Sequence, residues 1–145
     1  GLVSFLAGHL AYVAAFVYLL YVSPTDTVAL LATPELVATL AGIALFSFHI
    51  YLYFRPLLRD LYMECVAYIL IITSMLLSAA ALSFDTYYSA EFRYQILAGS
   101  VAFYISDIFV GRSKFMGVSA FNTCMCLPLY YGGQFALGFS AALAS

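Results

Sequence analysis

The sequence predicts an all-α protein, a polytopic transmembrane helix bundle with about five spanning helices in one domain. Of its 145 residues, 66% are hydrophobic and only 8% are charged, whereas a soluble domain carries about 25% charged residues. The mean hydropathy is +1.03. Five apolar stretches each reach the length of about 20 residues that a helix needs to cross a bilayer. No stretch alternates as a barrel strand does.

The predicted helices follow one another between short polar turns. The first ends where Ser23-Pro24-Thr25-Asp26 supplies turn chemistry. The second begins at Pro34-Glu35, a typical first helical turn, and closes at Arg55-Pro56. Pro128 lies inside the last helix. The predicted bounds are 2–22, 35–54, 60–84, 91–111 and 118–142.

The charge balance and the cysteines exclude several function classes. The net charge is -2 without a basic run, so nucleic acid is not an expected partner. Cys124 and Cys126 are two residues apart, on different faces of a helix, and Cys65 is distant. This spacing fits neither a disulfide framework nor a zinc motif. We therefore expect the cysteines to be small packing residues.

Basic residues concentrate in two of the four predicted loops. The loops between helices two and three and between helices four and five hold four basic residues, whereas the other two loops hold only Arg93. Because basic loops stay in the cytoplasm, we expect these two loops and Gly1 to be cytoplasmic, with Ser145 on the far side. The four basic residues are Arg55, Arg59, Arg112 and Lys114.

Four ionisable residues fall on predicted membrane helices at a similar depth. At 1.5 Å per residue, they lie roughly 7 to 10 Å from the cytoplasmic ends. Ionisable groups inside a membrane are costly and usually functional. A single polar layer beneath the head groups favours a lipid-modifying enzyme over an ion channel, in which polar groups continue through the span. The four residues are His9, His49, Glu64 and Asp107.

Each of these residues also has a structural interpretation. Asp107 is too short to reach the interface, so it needs a partner within the protein, and Arg112 or Lys114 could form a structural ion pair with it. His49 lies where interfacial histidines are ordinary, and Glu64 could pair with Arg59. As a catalytic group, a membrane carboxyl could act as a general acid and a histidine could activate water.

Other chemistries find less support in the sequence. Two histidines and two carboxylates could hold zinc, but no His-x-x-x-His spacing is present. Ser106 lacks the G-x-S-x-G context of a nucleophile. Asn122, Cys126, Tyr130 and Gln134 form a polar stripe at steps of four residues. Interhelical hydrogen bonding would explain this stripe as well as substrate binding would.

Short motifs along the whole chain occur in the order in which a known family carries them. The motifs are Phe5-Leu6-Ala7-Gly8-His9-Leu10-Ala11-Tyr12 with Phe16, Arg55-Pro56, Ala67-Tyr68-Ile69 with Met75, Phe103-Tyr104-Ile105-Ser106-Asp107 with Phe115, and Leu129-Tyr130-Tyr131-Gly132-Gly133-Gln134. With these motifs the sequence resembles the YhhN-type lysoplasmalogenase family of multi-pass membrane proteins.

The resemblance implies hydrolysis of the vinyl ether bond of lysoplasmalogens to a fatty aldehyde and a glycerophospho head group, without a metal or organic cofactor. It implies Asp107 as the acid or cation stabiliser and His9 as the base that activates water. Glu64 is a second candidate acid from its depth. The implied partners are membrane lipids. The residues expected to position the substrate are Tyr12, Ser106, Asn122, Tyr130 and Gln134.

The resemblance also has one departure. Family members typically have further N-terminal helices and an early Gly-Asp motif, and no Gly-Asp pair occurs here. We therefore expect the match to be with the C-terminal five helices. Either the start at Gly1 is truncated or processed, or the chain is a shortened homologue that lacks one catalytic carboxylate. A non-catalytic subunit of a larger membrane complex is the alternative, with small-residue surfaces such as Ala38/Gly42 facing partner helices. A transporter with helix five broken at Pro128 is a weaker option.

Overall fold

The computed structural model describes residues 2–57 and 62–143, and within these ranges all regular structure is helical. The predicted all-α bundle is confirmed. Arg59, one of the basic loop residues, and Asp60, the predicted start of the third helix, lie outside the described residues. Gly1 and Ser145 also lie outside them. The helices are α1 Leu2–Val22, α2 Thr27–Leu31, α3 Pro34–Phe54, α4 Tyr62–Phe84, α5 Ala90–Met116 and α6 Ala120–Ser140, with 3-10 turns at Arg55–Leu57 and Ala141–Leu143.

Local capping chemistry sets the helix starts. The side chain of Asp26 accepts hydrogen bonds from the first amides of α2. Ser89 does the same for Phe92 at the start of α5, and Ser119 does so for Asn122 at the start of α6. These are the residue types that satisfy unpaired amide groups at helix N-termini.

Two helix predictions need correction. The turn after α1 contains the additional short helix α2, which Asp26 caps. Helix α5 does not end at Gly111 but continues to Met116, so Arg112 and Lys114 lie within its last turns rather than in a loop. Gly111 packs against Phe54 inside the bundle. The helix ends before Gly117, whose φ of 97° lies in the left-handed region that favours glycine.

Within the described residues, four helices are long and apolar enough to cross a membrane by length and composition: α1, α3, α4 and α5. Helix α6 is not among these four, although its 21 residues match the others in length. Its polar stripe and glycines lower its hydropathy. A fifth spanning helix therefore stays a prediction.

Helix α4 lies at the centre of the bundle, against α1, α3 and α5, while α5 and α6 form the most extensive helix pair. This pair is close because both helices carry glycine where they meet. A Cβ atom built on Gly133 would lie 2.9 Å from the backbone oxygen of Gly99. Small residues permit such close backbone approach between membrane helices.

One buried carboxylate joins the two loops at the same end of the bundle. Asp85, between α4 and α5, is fully buried. Its Oδ1 accepts hydrogen bonds from the Thr25 hydroxyl at 2.6 Å and from the Tyr87 amide at 3.0 Å. Burial raises the pKa of Asp85, but hydrogen bonds from Ser23, Thr25 and Tyr87 outweigh burial and hold it below its usual value. The loop after α1 is thereby tied to the loop after α4.

Candidate functional site

A buried histidine–aspartate pair joins α1 to α5 in the interior of the bundle. Nε2 of His9 lies 3.0 Å from Oδ2 of Asp107. The two side chains are 1% and 0% exposed. They are 98 positions apart in the chain. No other ion pair occurs among residues 2–57 and 62–143. The partner of Asp107 is therefore His9 and not Arg112 or Lys114.

The hydrogen bonds of His9 fix the position of its protons. Nδ1 lies 3.0 Å from the backbone oxygen of Phe5. Because a carbonyl oxygen only accepts, Nδ1 carries a hydrogen and donates it. Nε2 of His9 and Oδ2 of Asp107 then share one proton. Either a protonated carboxyl group donates it to a neutral imidazole, or an imidazolium donates it to a carboxylate. The pair is neutral overall in both cases, which makes its burial tolerable.

The second oxygen of Asp107 is available to a ligand. Oδ1 is buried and has no hydrogen-bond partner in the part of the chain that the structure describes. Asp107 also lines a cavity of about 10 Å³ among α3, α4 and α5, together with Tyr68, Ile69 and Ile72. This volume is close to the minimum that one water molecule requires. The hydroxyl of Tyr68 donates a long hydrogen bond, 3.4 Å, to the backbone oxygen of Asp107.

Aromatic rings enclose the imidazole of His9. Its centroid lies 4.5 Å from that of Phe5 and 4.7 Å from that of Phe103, which meets the imidazole edge to face. Phe103 also contacts Tyr12 and Tyr130. The rings exclude water from this side of the pair and restrict the orientation of the imidazole.

The polar stripe of α6 faces α1 and α5. The hydroxyl of Tyr12 donates a 2.9 Å hydrogen bond to Oε1 of Gln134, and Tyr130 packs on Phe103. Asn122, nearer the start of α6, is buried, and its Oδ1 has no partner within the described ranges. Two predicted binding residues, Tyr130 and Gln134, therefore lie on the side of α6 that meets the pair's own helices.

The structure does not bring the remaining predicted residues to the pair. Ser106 is buried, but its hydroxyl donates to the Phe103 backbone oxygen at 2.8 Å within its own helix. The side chains of His49 and Glu64 are exposed on the outside of the bundle. Of the four groups predicted at a similar depth, only His9 and Asp107 therefore meet in the structure, because equal depth does not place residues on the same face.

The sequence matches the model of the YhhN family over residues 1–141. The chain belongs to the YhhN family. No significant match was found among curated proteins or among solved structures. Family membership is thus established over essentially the whole chain, and it fits the apolar helices of a membrane protein.

Within this YhhN-family chain, the motif residues beside the pair include two that were not predicted as site residues. Phe5 fixes the tautomer of His9 through its backbone oxygen, and Phe103 is the ring on which the aromatic contacts converge. The position of each residue in the sequence could have indicated its place beside the pair. Phe5 lies four residues before His9 and Phe103 four before Asp107, and this spacing places each on the same helix face as its neighbour.

Proposed function

We propose that this chain is an integral membrane hydrolase that cleaves the vinyl ether bond of lysoplasmalogens. The products are a fatty aldehyde and a glycerophospho head group. The observation that carries the proposal is the buried His9–Asp107 pair, which holds one shared proton and leaves Oδ1 of Asp107 without a partner. Family membership supports a reaction within the membrane.

The reaction requires a proton donor and a group that stabilises positive charge. Asp107 donates the shared proton to the β-carbon of the vinyl ether, and the oxygen-bearing carbon becomes an oxocarbenium ion. The resulting carboxylate stabilises that cation in a water-poor site, where electrostatic interactions are strong. Water adds to the cation and gives its proton to His9. The hemiacetal then collapses to the aldehyde and the free alcohol of the head group.

The surroundings of the pair support these roles. The bond from Nδ1 of His9 to Phe5 leaves Nε2, on the Asp107 side, as the nitrogen that exchanges protons. The aromatic rings of Phe103 and Tyr130 form an apolar wall beside it. Such a wall suits a hydrocarbon chain attached to the reacting double bond.

The test is aldehyde release from a lysoplasmalogen by the purified chain in nanodiscs. Asp107→Asn keeps the size of the side chain but removes the acid, and we expect a loss of at least about 100-fold, typical of a missing general acid. His9→Gln should cause a comparable loss. Glu91→Gln is the matched control, because Glu91 is an exposed carboxylate at the start of the same helix α5.

Full activity of a folded Asp107→Asn variant would refute the proposed mechanism. Absence of activity in the unmodified, monodisperse chain would instead favour the non-catalytic membrane subunit. Circular dichroism and gel filtration of each variant separate loss of chemistry from loss of fold.

A further inference from the structure

A second cavity lies on the outer side of the bundle, between α3 and α4. It has a volume of about 350 Å³, and its walls are mainly apolar. This volume is within the range of small-molecule sites. The cavity extends along α4 from Tyr62 to Thr73, about 16 Å at the rise of a helix. We call it the α3–α4 groove.

A cation and a pair of tyrosine hydroxyl groups lie at one end of the groove. The hydroxyl groups of Tyr51 and Tyr62 lie 2.9 Å apart there. Arg55, in the 3-10 turn that follows α3, is exposed and close enough to Tyr51 to interact with it electrostatically. Farther along, the lining is mostly apolar, with Ser47 and Thr73 as its polar side chains. A cation and hydroxyl groups at one end of an apolar trough complement a phosphate with a single hydrocarbon chain.

The groove adjoins the small cavity beside Asp107. Ile69 lines the α3–α4 groove and also the small cavity that Asp107 and Tyr68 line. Its side chain is buried, with 8% exposure. The side chain of Ile69 therefore lies between the α3–α4 groove and the small cavity that Asp107 lines.

We propose that the α3–α4 groove binds a single-chain phospholipid that comes laterally from the bilayer, with its phosphate at Arg55, Tyr51 and Tyr62 and its chain in the groove. Ile69 is the positioning residue between the bound chain and Asp107. This inference rests on the proposed function for the identity of the lipid as the substrate. Binding itself does not depend on catalysis.

The primary experiment is photolabelling of the full chain in phosphatidylcholine nanodiscs. The probe is a lysophosphatidylcholine with a diazirine in its hydrocarbon chain, and labelled positions are mapped by mass spectrometry. Labels that excess unlabelled lysophosphatidylcholine removes should fall on the groove-lining residues of α3 and α4, such as Ala44, Phe48 and Val66. Labels on Leu45, which is 70% exposed on the lipid side, should resist competition. Competable labels elsewhere would overturn the proposal.

Two variants extend the test. Ala44→Phe places a ring in the groove and should reduce competable labelling about tenfold or more, whereas Leu45→Phe, the adjacent control, should not. Arg55→Gln removes the cation and should weaken labelling without filling the groove. Unchanged labelling of folded Ala44→Phe protein would contradict the proposal. If that variant does not fold, the labelling map of the wild type and the labelling of Arg55→Gln test the proposal instead.

Hydrolysis measured on the same samples distinguishes the two proposals. Competable labelling of the groove without aldehyde release would refute the proposed function and leave the groove assignment standing. Aldehyde release with labels outside the groove would refute the groove assignment alone. If both hold, Ala44→Phe should raise KM for long-chain substrates more than it lowers kcat.

Discussion

His9 and Asp107 are both buried, and each is the hydrogen-bonding partner of the other. The backbone oxygen of Phe5 takes one proton of the imidazole, so a single proton is shared between Nε2 and the carboxyl group. Removing one member would leave the other buried without its partner, which is strongly destabilising in a low-dielectric interior. For this reason asparagine and glutamine, which retain hydrogen-bonding groups, are better probes than alanine.

Asp85 gives a pH-dependent prediction at the residue scale. In the folded protein, the pKa of Asp85 lies below its usual value of 3.8. The ionised form therefore stabilises the fold above pH 3.8, and this stabilisation is lost as the pH falls below 3.8. We expect Asp85→Asn to lower the melting temperature at pH 7. The difference from wild type should shrink as the pH falls below 3.8. A difference that does not change with pH would contradict this account.

The hydrogen bond between Tyr12 and Gln134 permits a second residue-scale prediction. Tyr12→Phe removes the hydroxyl that donates to Gln134 across α1 and α6. Hydrogen bonds between membrane helices contribute about 0.6 kcal/mol on average and at most about 1.7 kcal/mol. We expect a cost in this range in reversible unfolding from mixed micelles. Tyr18→Phe, at a 63% exposed position of the same helix, should have no effect.

At the scale of elements, the contact between α5 and α6 places Tyr130 and Gln134 beside α1. The two backbones approach closely at Gly99 and Gly133. Both glycines are buried, and a larger side chain at either would push the helices apart. The position of the α6 stripe therefore depends on two residues that have no side chain.

Adjacent glycines of α6 provide a matched pair of variants. A Cβ atom on Gly133 would lie 2.9 Å from the Gly99 oxygen and 3.1 Å from the Phe103 amide nitrogen, whereas a Cβ atom on Gly132 would meet nothing within 4 Å. Gly133→Ala should destabilise the protein by about 1–3 kcal/mol through overpacking. Gly132→Ala should be neutral or slightly stabilising because alanine favours helix. Equal effects of the two substitutions on the unfolding free energy would contradict the close contact.

At the scale of the whole molecule, the two ends of α5 differ in charge. Glu91 and Arg93 lie near its start, whereas Arg112 and Lys114 lie near its end. With 27 residues, the helix is about 40 Å long, enough to cross the bilayer. The positive-inside rule predicts that the more basic end, with Arg112 and Lys114, lies in the cytoplasm.

Cysteine labelling tests this orientation. In a background without Cys65, Cys124 and Cys126, a membrane-impermeant maleimide added to intact cells should label Thr86→Cys but not Val118→Cys. Both positions are exposed, before and after α5 respectively. Permeabilised cells should label both, as the control. The reverse labelling pattern would show that the count of basic residues assigns the wrong end of α5 to the cytoplasm. Labelling of both cysteines from outside would contradict an α5 that spans the membrane.

The sequence by itself determined the all-α fold class and most helix positions, because hydropathy, caps and turns act over a few residues. It placed α1 at its observed bounds and α3 within one residue of them. It also singled out His9 and Asp107 as chemically unusual. Local patterns failed where a residue's role depends on distant packing, as at Gly111, which was read as a helix end although it packs against Phe54.

Only the tertiary structure decided which ionisable groups meet. Depth along a helix follows from residue counting, but the direction in which a side chain points depends on how each helix is rotated against its neighbours. That rotation pairs His9 with Asp107 across 98 positions of the chain and turns His49 and Glu64 outward. It also creates the α3–α4 groove beside Asp107, because the groove exists only where the surfaces of two separate helices meet.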